Sequence, residues 1–193
     1  AWIRSRSGLA RMLERRDDPL AELPTTVDQN RLTGHVTLVG YGRVGRQIGE
    51  SLTERGISFV VAEQNRELVE ELRNRGIPAV SGNAADPAVL IQAHVARAQI
   101  LVIATPDTFA ARQMSETARA LNPSIEVVVR THSAEEAELL HREHAGKTFI
   151  GEYELAFAMT RYVLDRASGR VGRAAVDKDR QDRAKNKPAT WDQ

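Results

Sequence analysis

The fold class this sequence predicts is α/β, a doubly wound parallel sheet, and three observations predict it. Between residues 34 and 150 short apolar runs alternate strictly with helical patterns, the order that builds a parallel sheet with helices on both faces. The runs are continuous rather than alternating, as strands buried on both faces require. The first run leads directly into Gly40-Tyr41-Gly42-Arg43-Val44-Gly45, a G-x-G-x-x-G turn between a strand and a helix.

Each element has its own local signal. Residues 35–39 are a short apolar strand, after which Val44, Ile48 and Leu52 recur at i+4 as a helix face closed by Gly56. Residues 57–62 make a second strand; Leu68, Val69 and Leu72 mark a second helix that Gly76 ends. Residues 78–80 are a short third strand. Asp86 as N-cap with Pro87 at the first helical position opens a third helix running to about His94. Residues 100–104 form the fourth strand, and Asp107 caps a fourth helix on which Ala110, Met114, Ala118 and Leu121 share a face. Residues 125–129 are the fifth strand, Ser133 with Glu136 forms a capping box for a fifth helix, and residues 148–150 are a sixth strand.

The flanks read differently. Residues 1–33 are polar, with Arg4, Arg6, Arg11, Arg15 and Arg16 offset by Glu14, Asp17 and Asp18, and are interrupted by Pro19 and Pro24. They are expected to be a linker into the fold, with one or two helical turns at 9–16. The chain lacks an initiator Met, and with its charged ends it is expected to have been cut from a longer one. In residues 151–168, Tyr153, Leu155, Ala156, Phe157, Met159, Tyr162, Val163 and Leu164 go most of the way around a helix. Such a helix must be covered on several faces, one by its own domain and another by a partner. Residues 169–193 are a charged tail expected to be disordered or weakly helical.

Composition narrows the function classes. Apolar residues make up 41% and charged residues 27%, as in ordinary globular proteins. A net charge of +1 gives no global electrostatic case for nucleic acid. The absence of cysteine removes disulfides, thiolate nucleophiles and thiolate metal ligands. No apolar run approaches the roughly 20 residues that span a bilayer.

The glycine turn carries the candidate site of a Rossmann-like domain. Gly40 lets the chain turn sharply, Gly42 leaves room for a phosphate against the backbone, and Gly45 lets the helix pack close to the strand. Tyr41, Arg43 and Val44 belong to the same loop. The helix N-terminus offers unpaired N–H groups to a phosphate. Glu63 ends the second strand, where the fingerprint's acidic residue accepts hydrogen bonds from ribose hydroxyls and repels a 2′-phosphate; Gln64 follows it. Gly82, Asn83 and Ala84 follow the third strand, with Asn83 either bonding an adenine edge or serving as a plain turn residue. Thr105, Pro106 and Asp107 follow the fourth strand and are expected either to line the phosphate side or, for Asp107, to serve as a plain helix cap. Arg130 ends the fifth strand and is expected to face the same crevice, pairing with a phosphate or with a carboxylate such as Glu63. His141 and His144, near Glu138 and Glu143, read as a polar helix face rather than a metal site. No Tyr-x-x-x-Lys pair and no Ser–His–Asp arrangement falls beside the crevice, so the chain is not expected to be an enzyme. The alternative is a small NAD-dependent oxidoreductase or the cofactor half of a dehydrogenase.

Residues 35–45 (HVTLVGYGRVG), 60–63 (VVAE), 82–84 (GNA) and 127–130 (VVVR) together resemble the cytoplasmic nucleotide-binding domain of Kef-type cation:proton antiporters. That domain is known as the regulator-of-potassium-conductance (RCK) or TrkA-N domain. The resemblance covers roughly residues 34–166. It implies a domain on the cytoplasmic face of the inner membrane, joined to the membrane transport domain of the same polypeptide through residues 1–33. It implies an adenine nucleotide (AMP, ADP or ATP, or NAD(H)) in the glycine-loop crevice, with NADP(H) disfavoured, and regulation of potassium or other monovalent cation transport. It implies a homodimer through residues 151–168, which makes that segment a C-terminal dimerisation helix. Many members of that family carry Asp where this chain has Glu63, and a second acid where it has Asn65; both AMP and a dinucleotide stay open.

Overall fold

The computed structural model describes residues 18–24 and 32–185, the side chains of the last stretch only to residue 168. The expected helical turns at 9–16 lie outside the described residues. Two units are resolved, residues 1–150 and residues 151–193.

The first unit is a six-stranded, wholly parallel sheet of order β3-β2-β1-β4-β5-β6. The strands are β1 (Val36–Val39), β2 (Phe59–Glu63), β3 (Ala79–Ser81), β4 (Ile100–Ile103), β5 (Glu126–Thr131) and β6 (Lys147–Ile150). Five helices connect them: α1 (Arg43–Glu54), α2 (Arg66–Asn74), α3 (Pro87–Gln92), α4 (Thr108–Leu121) and α5 (Ala134–Arg142). Strand order reverses direction at β1, so the crevice of a doubly wound sheet opens at the carboxyl ends of β1 and β4. The predicted fold class is thus the observed one, six strands included.

The continuous apolar strands feed two cores. On one face Val60, Leu101, Ile103, Val127 and Val129 pack with Leu90, Met114 and Leu140; on the other, Leu38, Val61 and Phe59 pack with Tyr41, Val69 and Leu72. In β1 and β2 alternate side chains thus enter opposite cores, which is why these central strands read as continuous apolar runs.

Several local expectations shift. The buried stripe of α1 is Gly45 and Gly49, with Ile48 and Leu52 half-buried beside them, while Val44 is 38% exposed. The glycines let the helix lie so close to the sheet that the apolar stripe turns about its axis. On α4 the buried residues are Ala111, Met114, Ser115 and Ala118, so Ala110 and Leu121 stand at the margins. Helix α3 stops at Gln92; His94 takes a left-handed conformation (φ 55°) and a 3-10 turn, Val95–Arg97, leads to β4. At α5, Ser133 Oγ accepts from the Glu136 N–H (3.2 Å) as a capping box requires. The Glu136 carboxylate, however, accepts from the Thr131 hydroxyl (2.6 Å) and the His132 N–H (3.2 Å), two residues and one residue before the expected partner, the Ser133 N–H. These bonds, the Thr131 one foremost, hold its carboxyl below the usual carboxylate range.

The expected linker is not free of the domain along its whole length. Leu20 and Leu32 are buried, in the two different cores. The second unit is helix α6 (Gly151–Lys185), which runs past the expected boundary at 168. Its sequence from 169 to 185 holds only Gly169 and Gly172 as helix breakers among Arg, Ala, Val, Lys, Gln and Asp. The large apolar side chains from Tyr153 to Leu164 are all exposed. No helix among the described residues is long and apolar enough to cross a membrane.

Under β1, the buried His35 imidazole donates from Nε2 to the Ala93 carbonyl at 3.2 Å. Burial pushes its pKa below the ordinary value. The unfolded chain therefore takes up this proton first as pH falls below about 6.5, and stability drops from there until the folded imidazole itself protonates. In His35→Gln the loss of melting temperature between pH 8 and pH 5 will be smaller than in the wild type, as differential scanning calorimetry at both pH values will show.

Candidate functional site

Strand register sets the site. Val39 lies beside Ala62 and Ile103, Ala62 beside Val80, and Ile103 beside Val129. The next residue on each strand therefore falls in one row along the carboxyl edge: Ser81, Glu63, Gly40, Ala104 and Arg130.

Gly40 has φ +83°, and a Cβ there would stand 2.6 Å from Thr105 Cγ2. A Cβ on Gly45 would stand 2.0 Å from the Gly40 carbonyl oxygen, a backbone atom that cannot yield. Gly40 is thus required by its positive φ and by Thr105, and Gly45 by the Gly40 carbonyl. The middle one differs: a Cβ on Gly42 would meet nothing within 4 Å, so open space lies over the loop at its exposed turn. Gly42 is also the N-cap of α1, which has no side-chain cap and no acid in its first turn. Helices α2 to α5 are capped by the side chains of Asn65, Asp86, Asp107 and Ser133. The first N–H groups of α1, with the positive end of its dipole, face that open space and fit an anion such as phosphate.

Glu63 joins this loop to β2. Its Oε2 accepts from the Tyr41 N–H (2.7 Å) and its Oε1 from the Asn65 N–H (2.9 Å). Each oxygen keeps a further lone pair for a ligand hydroxyl. The expected alternative of an Arg130–Glu63 pair is not adopted. Three strand spacings of about 4.8 Å separate β2 from β5, roughly 14 Å, and among the described residues no cation pairs with Glu63. Asn65 accepts at Oδ1 from the Glu67 and Leu68 N–H groups (3.0 and 3.3 Å). A capping amide thus stands where the resemblance leads one to expect a second acid.

A cleft of about 260 Å³ lies over this row. Of the expected site residues, Gly40, Glu63, Gln64, Gly82, Asn83, Ala84 and Thr105 line it. Asn83 uses Oδ1 to accept from the Ala85 N–H (3.0 Å), a turn role, which leaves its side-chain NH2 for the cleft. Gly42, Arg43 and Val44 are exposed at the neighbouring helix N-terminus, outside the lining, as is Pro106. Arg130 is half-buried at its strand end. The Tyr41 ring, expected in the loop, is 1% exposed inside the core against Gly49, and only the backbone of this residue faces the loop. Burial raises its phenol pKa.

Asp107 lines the cleft, as the reading of residues 105–107 expects, and Ala110 and Met114, expected only on a shared helix face, line it too. Asp107 does cap α4, accepting from the Ala110 N–H at 3.0 Å. The available signal was spacing: a cap residue and positions three and seven beyond it all look toward the strand end that precedes the helix.

A parallel sheet of this order, with a glycine turn and an acid at the end of β2, defines a Rossmann-like domain with a nucleotide-type crevice. Residues 36–150 match the TrkA-N domain family, and the chain belongs to it. It is 38% identical over 140 residues to YbaL of Escherichia coli (strain K12), assigned as a cation/proton antiporter, covering 72% of this chain and 25% of YbaL. It is 28% identical over 138 residues to KefB of Alkalimonas amylolytica, assigned as a K+ efflux antiporter, covering 72% of this chain and 21% of KefB. The chain thus spans about a quarter or less of the length of these relatives. Among solved structures, the TrkA-N domain of the Escherichia coli inner membrane protein YbaL superposes with a TM-score of 0.64 at 39% identity, covering 67% of this chain and 96% of that one. The GsuK channel bound to NAD gives 0.57 at 25% identity, covering 74% and 25%. The C-terminal domain of Shewanella denitrificans Kef in AMP-bound form gives 0.60 at 23% identity, covering 78% and 94%, and shows the shared fold.

The Gly45–Gly40 contact has a direct test. Gly45→Ala is expected to destabilise the domain by roughly 1–3 kcal/mol through overpacking. Gly42→Ala, which meets only open space, is expected to cost about 1 kcal/mol or less. Chemical denaturation of the two variants will separate them.

Proposed function

We propose that this chain is the nucleotide-sensing regulatory domain of a potassium or other monovalent cation:proton antiporter. It would stand on the cytoplasmic face of the membrane and be joined to the transport domain through its N-terminal segment. The observation that carries the reading is the conjunction at the cleft of an uncapped α1 N-terminus beneath open space at Gly42 and the Glu63 carboxylate one strand away. A phosphate suits the first, and ribose hydroxyls suit the second. The names of YbaL and KefB supply the transporter context, and the AMP- and NAD-bound neighbours supply the ligand class.

The residues divide the work simply. The α1 N–H groups hold phosphate, with Arg43 close enough in sequence to add charge. Glu63 holds the ribose and disfavours a 2′-phosphate. Asn83 offers its NH2 to the base, and Ala62, Ala84 and Met114 supply apolar contact. The volume of the cleft lies at the small end of ligand sites, which typically span about 300–1,000 Å³. That size suits one nucleotide, or the adenosine half of a larger one. The domain is read as non-catalytic: occupancy changes transport by favouring one arrangement of the assembly, which requires different affinity for the ligand in the two states. The exposed apolar surface of α6 at 151–168 is read as the seam of a homodimer, and residues 169–193 as the charged tail beyond it.

A thermal-shift titration with AMP, ADP, ATP, NAD, NADH and NADPH tests the site. At a hundred times Kd, a ligand bound only by the folded state adds about 2.7 kcal/mol. AMP or NAD(H) is expected to raise the melting temperature, NADPH is not, and Glu63→Ala is expected to lose most of the rise. No rise with any of the six sinks the sensing role, and turnover of NADH with a carbonyl panel would replace it by an oxidoreductase. For the seam, light scattering on a sizing column is expected to show a dimer that Phe157→Glu converts to a monomer; a monomeric wild type removes that part of the reading.

A further inference from the structure

β3 is an edge strand, and an edge normally leaves a row of backbone groups unpaired. Here the chain covers its own edge. The Ser81 N–H donates to the Leu20 carbonyl at 2.7 Å, so residues 18–22 lie along the outer side of β3. Arg73, in the last turn of α2, holds them there. Its Nε donates to the Ala79 carbonyl (2.8 Å), Nη1 to the Pro19 carbonyl (2.9 Å), and Nη2 to the carbonyls of Leu20 (3.1 Å) and Glu22. One guanidinium thus binds the edge strand and three carbonyls of the strap. The Leu20 side chain is 9% exposed, in the core that contains Val69, Leu72 and Ala79. Asp18 accepts from the Leu20 N–H (3.0 Å) and pairs with Arg66 at the start of α2.

This strap meets the sheet one residue from the cleft. Ser81, which bonds Leu20, is followed by Gly82 and Asn83, both in the cleft lining. The Gly82 N–H donates to the Glu63 carbonyl (3.0 Å), and the Glu63 side chain holds the glycine loop through the Tyr41 N–H. A continuous run of hydrogen bonds therefore leads from the strap through Ser81–Gly82 and Glu63 to the phosphate end of the cleft.

We propose that residues 18–22 form a latch, clamped on β3 by Arg73, whose docking is coupled to nucleotide occupancy of the neighbouring cleft. The inference rests on the nucleotide reading above and adds its route of output. A ligand gripping Gly82 and Asn83 fixes Ser81 and with it the strap; the docked strap fixes Ser81 and with it the wall of the cleft. Coupling of this kind is reciprocal: nucleotide slows release of the strap, and release weakens nucleotide binding by the same factor. Residues 1–17 precede the strap in the chain, so release of the latch changes where the segment that follows them is anchored.

The test combines hydrogen exchange by mass spectrometry with calorimetric titration of AMP and NAD, on the 193-residue chain and on Arg73→Gln and Leu20→Asp. Neither residue lines the cleft, and melting curves verify that both variants fold. Nucleotide is expected to slow exchange of peptides covering 18–24 and Ser81 in the wild type. Each variant is expected to speed that exchange without ligand and to bind nucleotide about fivefold more weakly or worse. Faster strap exchange with unchanged affinity overturns the coupling while leaving the nucleotide site standing. Undiminished strap protection in both variants overturns the clamp. Absence of nucleotide binding by the wild type overturns both the sensing role and the coupling, and that outcome is told apart from the others by the wild-type titration alone.

Discussion

The approach of α1 to β1, limited by the Gly45 Cα resting against the Gly40 carbonyl, governs most of what the domain can do. With a side chain at Gly45 the helix would stand off from the strand, and the open space over Gly42 would no longer face the first turn. The same closeness explains features that look unrelated. It buries Gly45 and Gly49 as the contact stripe of α1, leaves Val44 in solvent, and traps the Tyr41 ring under the helix against Gly49. A residue in the middle of a binding motif is thereby used for packing, and only its backbone N–H remains to serve the loop.

That N–H is what Glu63 takes. A carboxylate at the end of β2 ties β1 and β2 together at their carboxyl ends, orders the α2 N-terminus through Asn65, and still presents lone pairs to the cleft. Organisation of the loop and recognition of a ligand hydroxyl are therefore carried by one group. The remaining helix N-termini around the sheet are closed by their own side chains, so the positive end of α1 is the one left for a ligand among the described helices of the sheet domain.

The periphery follows from the same sheet order. Putting β1 in the middle places β3 and β6 at the two edges. The β3 edge is covered by residues 18–22 and Arg73, which brings the entry of the chain to within one residue of the cleft wall. After β6 the chain leaves as α6, whose apolar side chains from Tyr153 to Leu164 are exposed. The strap and β6 thus lie at opposite margins of one sheet, and the crevice lies between them at the switch in strand order.

Local chemistry was enough to read the elements and their order. Continuous apolar runs, the caps at Asp86, Asp107 and Ser133, and the closing Gly56 and Gly76 each act within a few residues, so they are written in the sequence itself. The glycine turn and Glu63 were legible for the same reason: a short motif and a fixed spacing carry them. What only the tertiary structure decided depends on distances across the sheet. Register separated Arg130 from Glu63 and put Gly40 against Thr105; helix–strand closeness sent the Tyr41 ring into the core and rotated the α1 stripe from Val44 to the glycines. Ala110 and Met114 joined the cleft because α4 packs beside β4; their spacing from the Asp107 cap marks the face, and the packing decides that the face looks into the cleft. The docking of Leu20 on β3, held by an arginine 53 positions away, pairs residues that no periodicity relates. Short-range preferences are properties of the chain; contacts between distant segments exist only once the sheet has set their separation.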